Sequence, residues 1–321
     1  MAFDVPVLFL IYKRSNTTKK VFERIKEIKP LNLFVAADGP KNENEKRDCE
    51  AVRKYVLENI DWPCEVKTLF REKNLGCGLA VSGAIDWFFG QVEQGIILED
   101  DCLPELSFFN FCKILLEKYR NEEQIKIISG NNFQMGNRRG DGSYFFSAYS
   151  HIWGWATWKR TWSQYKFRLN YLDNQKVDQL LNRHFQREKE KIYWKKIFWS
   201  VKNEEVDTWA YPLSFSVWYF NGVNIKPNQN LVTNIGFGED ATHTKGRKSV
   251  LANLPLDPIL DIKHPASIMV NIEADQFLFD HFIDLRRPLS VRIKRKFLQV
   301  LKRARIKTGR LQQFISRLQY L

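Results

Sequence analysis

Two hydrophobic rhythms alternate up to about residue 130. Apolar runs at residues 5–11, 31–37, 96–98 and 125–129, and an alternating run at 65–70, predict strands. Between them, segments 17–28, 43–59, 77–89 and 106–120 space their apolar residues at helical intervals. Thr17 or Thr18 is available to cap the first helix, and Leu79, Ile85, Trp87, Phe88 and Phe89 are the buried candidates of the third. Strands that are apolar throughout and alternate with helices predict a parallel, doubly wound α/β sheet. After about Asn132 the rhythm changes. Gly and polar residues run to Ser143, aromatic residues dominate 144–162, residues 176–202 are charged and helical in character, and 227–244 reads as loop. This half is expected to build onto the edge of the same sheet.

The run at 96–98 ends abruptly in Glu99-Asp100-Asp101. Ligands of open α/β sheets bind beyond the carboxyl ends of the strands. Three adjacent carboxylates there repel one another unless a cation neutralises them, and their oxygens suit Mg²⁺ or Mn²⁺. The triplet therefore suggests a metal held against nucleotide phosphates. A solvated acidic turn is the plainer alternative.

Composition narrows the setting. The chain has 321 residues, 44% hydrophobic, with 10 Trp and 24 Phe, enough for one large domain with or without an appendage. Its five Cys are scattered without CxxC spacing, which argues against a disulfide framework or zinc site and fits a reducing cytoplasm. Signal-peptide features and a membrane-length apolar run are both absent from the sequence. The net charge of +13 is concentrated: beyond Asp284 there are 12 Lys and Arg and no acid. Leu289, Ile293, Phe297, Val300, Leu301 and Ala304 fall on one helical face of that tail, and Leu311, Phe314, Ile315 and Leu318 repeat the pattern. A basic amphipathic helix reads either as an element attracted to anionic lipid or as a helix packed on its own domain. The nearly neutral remainder argues against nucleic acid.

Four further places offer chemistry. Arg14, just after the first strand, is placed to reach a diphosphate or base, unless it is an ordinary surface charge. Asp38 ends the second strand, either accepting from a base or ribose or simply forming an Asp-Gly turn. Arg71 and Asn74 flank a glycine-bearing strand-to-helix loop whose amides are free to face an anion. That loop has neither GxGxxG nor GKS/T, which weighs against dinucleotide-binding and ATPase readings. Asp207, beside Trp209, suits a general base under a sugar ring, or an acidic helix end. His243 lies in a loop where it either ligates metal or touches phosphate, or does neither.

In order, Arg14-Ser15, Asp38, Asn74-Leu75-Gly76, Glu99-Asp100-Asp101, His151-Ile152-Trp153-Gly154-Trp155 and Asp207-Thr208-Trp209 resemble glycosyltransferases of the GT-A fold. The nearest likeness is to the N-acetylglucosaminyltransferase I family and its bacterial relatives, over roughly residues 5–245. The resemblance implies a doubly wound mixed sheet. Arg14, Asp38, Arg71, Asn74, Glu99 and Asp100 would bind a UDP-sugar. Asp101, with His243 as a further candidate, would hold Mn²⁺ or Mg²⁺. Asp207 would be the base of an inverting transfer, and Trp155 and Trp209 would shape the acceptor side. The implied reaction moves a sugar, N-acetylglucosamine being one candidate, to a glycan or lipid-linked acceptor in surface polysaccharide synthesis. The enzyme would be cytoplasmic, peripheral on the inner membrane face through its tail. The expected organisation is a catalytic domain at 1–250, with a nucleotide half (1–132) and an acceptor half (133–250). A connector at 251–284 and the basic tail at 285–321 would follow. Two alternatives stay open: a sugar-phosphate nucleotidyltransferase, disfavoured because residues 12–18 contain no glycine, and a non-enzymatic basic protein binding membrane or nucleic acid.

Overall fold

The structure, a computed structural model, describes residues 3–237 and 250–283. His243 and the basic tail at 285–321 lie outside the described residues. Residues 1–278 form one compact unit, and the second unit begins at Phe279, of which a π-helical turn, Phe279–Ile283, is described. The segment expected as a connector therefore belongs, as far as Leu278, to the first unit.

The alternating strands and helices form as the sequence predicts. They are β1 (Val7–Ile11), α1 (Ser15–Ile28), β2 (Asn32–Ala37), α2 (Glu43–Glu58), β3 (Glu65–Phe70), α3 (Gly76–Phe89) and β4 (Gln94–Glu99). A short β5 (Cys102–Pro104), α4 (Ser107–Lys118) and β6 (Ile125–Ser129) follow. The aromatic stretch supplies β7 (Tyr144–Ser147), β8 (Trp155–Trp158) and α5 (Lys159–Trp162). Next come α6 (Asn174–His184), α7 (Glu188–Lys202), α8 (Ala210–Tyr219), β9 (Val223–Pro227), β10 (Val232–Asn234) and α9 (Ile272–Leu278).

Eight strands make one mixed sheet in the order β3-β2-β1-β4-β8-β6-β9-β7. The first four are parallel, and β8 runs antiparallel between β4 and β6. Alternation along the strands feeds two cores, as period-2 geometry requires. Val7, Phe9, Ile11, Leu33, Val35, Ile96 and Leu98 pack with Phe22 and Ile25 of α1, Val52 and Val56 of α2, and Phe108 and Leu115 of α4. On the opposite face Phe34 meets Trp87 and Phe88 of α3, with ring centroids 5.3 and 4.9 Å apart. The sheet is thus covered by helices on both faces, the doubly wound mixed arrangement expected.

Three local expectations are corrected. Leu79 is 52% exposed, because it lies on the outer side of α3. Neither Thr17 nor Thr18 caps α1, since the helix starts two residues earlier and both hydroxyls donate to the Arg14 carbonyl. The segment read as loop contains β10, which pairs antiparallel with β5.

Candidate functional site

The sheet's carboxyl edge opens into a cavity because side chains shrink there. One strand step and one helix turn away, Phe34 and Phe88 fill the space between sheet and α3. At the edge the same positions carry Ala36 and Ala84, and with Ala80 they line a cavity of about 440 Å³. Arg14, Asp38, Arg71, Asn74, Glu99 and Asp100 all line it, as do Tyr12, Lys13 and Cys77. The six residues expected to bind the donor are therefore brought together from the ends of β1, β2, β3 and β4 and the loop before α3.

Asp100 and Asp101 share one cation. The Arg14 guanidinium bridges them: Nη1 donates to Asp101 Oδ2 at 2.7 Å and Nη2 pairs with Asp100 Oδ1. Asp100 Oδ2 also accepts from the Tyr12 amide at 3.2 Å. Gly236, after β10, closes over this pair: a Cβ there would stand 2.4 Å from Asp101 Oδ2 and 2.7 Å from Arg14 Nη1. Glu99 faces the cavity, and burial, reinforced by the charge of Asp101, raises its carboxyl above the ordinary range. Burial also pushes the Cys77 thiol up to about 12, which keeps it protonated and removes it as a nucleophile at neutral pH.

A metal was expected at Asp101. Among the described residues, no group of three or more His, Cys, Asp or Glu is arranged to hold one, and both strand-end aspartates are committed to Arg14. His243, the other residue expected to hold the metal, lies outside the described residues; among the described residues the cation paired with both aspartates is Arg14.

The rim is wired by hydrogen bonds. Asp38 accepts from the amides of Gly39 (2.9 Å) and Leu75 (3.0 Å). Asn74 donates to the Gly39 carbonyl (2.7 Å) and the Tyr12 hydroxyl (3.2 Å), and its own carbonyl accepts from the Gly76 amide. Arg71 Nη1 donates to the Ala80 carbonyl at 3.0 Å. Asp207 arrives from far along the chain to sit on the first turn of α3, where its oxygens accept from the amides of Cys77 (3.0 Å) and Gly78 (2.8 Å). These amides have no intrahelical partner, and the helix dipole favours a carboxylate there. A Cβ at residue 78 would stand 2.5 Å from Asp207 Oδ1, so the approach requires glycine. Asp207 is exposed, and each of its oxygens retains acceptor capacity beyond these bonds.

The acceptor-side expectation is corrected. Trp155 (0% exposed) and Trp209 (3%) stack on each other at 5.8 Å inside the protein and present no face to a ligand. Half-buried aromatics cluster elsewhere: Trp153 and Phe237 lie 5.8 Å apart, with Phe133 5.1 Å from Trp153. Phe237 directly follows Gly236. Sequence reading also missed Tyr12 and Glu45. Tyr12 stood beside the recognised Arg14, but nothing in the sequence pairs it with Glu45.

No family model and no curated protein matches the sequence. Solved structures with some likeness include HddC from Yersinia pseudotuberculosis, 11% identical over 52% of this chain and 85% of that one, with a TM-score of 0.32. Another is TarS from S. aureus, 10% identical over 55% and 53% of the two chains, TM-score 0.37. A third is a 4-diphosphocytidyl-2C-methyl-D-erythritol synthase from Anaerococcus prevotii, 9% identical over 60% and 82%, TM-score 0.33. At such identities and scores these likenesses assign no chemistry to this chain.

Proposed function

We propose that this chain is a glycosyltransferase that uses a nucleotide-diphospho-sugar, with UDP-N-acetylglucosamine the first donor to test. One observation supports it above the others. A single cavity at the carboxyl edge of parallel strands gathers Arg14, Asp38, Arg71, Asn74, Glu99 and Asp100, and the amide-held carboxylate of Asp207 stands at its rim.

In this reading the diphosphate lies among the cations of the lining, Lys13, Arg14, Lys41 and Arg71, whose summed charge offsets that growing on the leaving group. Asp207 takes the proton of an acceptor hydroxyl. The freed oxygen pair attacks the anomeric carbon from the side opposite the diphosphate. The carbon–oxygen bond to the donor then breaks, its electrons leave with the nucleoside diphosphate, and the anomeric configuration inverts. The two amides of α3 aim the Asp207 carboxylate. Phe237, which follows Gly236 beside Asp101, and Trp153 next to it are half-buried apolar faces for an acceptor sugar. A glycan or lipid-linked acceptor follows from the resemblance alone.

The test is an assay of the full chain with a panel of UDP-sugars, following both UDP and pyrophosphate. Slow hydrolysis releasing UDP is expected. Pyrophosphate release from a sugar phosphate and a nucleoside triphosphate would move the protein to the nucleotidyltransferases. Failure to bind any nucleotide would leave a non-enzymatic basic protein. Asp207→Asn should keep UDP affinity and lower turnover by about 10²–10⁴-fold, the usual worth of a general base; normal turnover would remove Asp207 from that role.

A further inference from the structure

The cavity has an apolar floor and one aromatic wall. Leu10, Ala36, Ala80 and Ala84 supply small apolar surface between sheet and helix, which suits a flat ring rather than a branched group. Tyr12 lines the same cavity, and its ring is held at the far end from two sides. The hydroxyl donates to Glu45 Oε2 at 2.5 Å and accepts from Asn74 Nδ2 at 3.2 Å. Glu45 lies in the first turn of α2, outside the cavity lining. Its carboxylate also takes the Lys13 ammonium at 2.7 Å and the Lys41 amide at 3.1 Å. Three donors from two loops thus converge on one side chain; all three residues line the cavity, and Tyr12 is the aromatic one among them.

We propose that Tyr12 is the wall on which the base of a nucleoside diphosphate stacks, and that Glu45 is a positioning residue that holds the ring in place. The inference rests on the reading of the cavity as a nucleotide site. A phenol tied at its hydroxyl cannot swing out of the slot, so little rotamer freedom is lost when a base arrives. Stacking tolerates any base, because every base has a π-face; discrimination among bases falls to the rim, where Asp38 lies.

The experiment is calorimetric titration of the full chain with UDP, CDP, GDP and, as a probe without a base, inorganic pyrophosphate. Tyr12→Leu should weaken the nucleotides by about 5- to 150-fold, the span corresponding to about 1–3 kcal/mol of base–aromatic stacking. It should leave pyrophosphate within about twofold. Tyr12→Phe keeps the ring but loses both bonds to its hydroxyl, so it should lose at least as much nucleotide affinity as Glu45→Ala and less than Tyr12→Leu. Glu45→Ala should lose nucleotide affinity selectively and add little in the Tyr12→Leu background, the signature of two residues acting as one. Glu45→Gln keeps an acceptor for the hydroxyl and should recover much of the loss. If Tyr12→Leu does not fold, the selectivity of Glu45→Ala against Glu45→Gln decides. Equal losses for pyrophosphate and nucleotides, or full additivity of the two substitutions, would overturn the inference while leaving the nucleotide site standing. A wild-type protein that binds pyrophosphate but no nucleotide would remove the nucleotide reading itself, and the stacking wall with it.

Discussion

Arg14 concentrates most of the site's electrostatics in one side chain. It holds two carboxylates that would otherwise repel each other, and with Lys13, Lys41 and Arg71 it lines the cavity. Arg14→Ala should therefore have two effects. UDP affinity should fall about 10- to 150-fold, from losing a charge-assisted contact of about 1.5–3 kcal/mol, and the loss should appear in both EDTA and Mn²⁺. Thermal unfolding should also show a loss of about 3 kcal/mol, because a buried pair broken from one side leaves its partners unpaired. Unchanged affinity in calorimetry would place the phosphates elsewhere. Glu99 gives a pH signature. Its carboxyl is raised above the ordinary 4.5 by burial first and by Asp101 second. In the window above 4.5 the folded state therefore binds more protons than the unfolded one, and stability falls as pH rises through it. Glu99→Gln should flatten that slope in a pH series of urea melts. Neither effect is legible in the sequence, where Arg14 and Asp101 are far apart and each has an innocent reading.

At the scale of elements, the strands and helices of the first half were readable because each carries its own period. β10 was not, because three residues in a loop-like stretch become a strand only by pairing with β5. Trp155 and Trp209 looked like ligand-facing aromatics, yet the stacking of Trp155 in β8 on Trp209, just before α8, buries both. Asp207 stood out in the sequence as an acid beside an aromatic, but its seat on the α3 amides depends on a contact between remote segments. The alanines of the sheet–helix gap are the clearest missed signal. Ala36 follows Phe34 by one strand period and Ala84 precedes Phe88 by one helical turn, so each small residue continues a filled row. Ala84→Leu should fill the cavity and lower nucleotide affinity at least about tenfold, while apolar contact inside the slot keeps the change in stability within about 1–3 kcal/mol. Full affinity in the titration would show that the ligand does not use this slot.

For the whole molecule, the expected division into a nucleotide half and an acceptor half meets a topological fact. β4, which carries the acids, lies between β1 and β8, and β8 comes from beyond residue 132. Among the described residues no helix is long and apolar enough to cross a membrane. A fragment of residues 1–132 should aggregate or oligomerise in size-exclusion chromatography, since it ends with an unpaired apolar edge at β4; a monodisperse folded fragment would show the half to be autonomous. The antiparallel placement of β8 also has a consequence during synthesis. The acidic strand leaves the ribosome by Glu99 and its partner starts at Trp155, an interval of several seconds at about 5–20 residues per second. Throughout that interval the nascent chain displays a bare, adhesive β-edge, making this the stage at which chaperone capture would matter most.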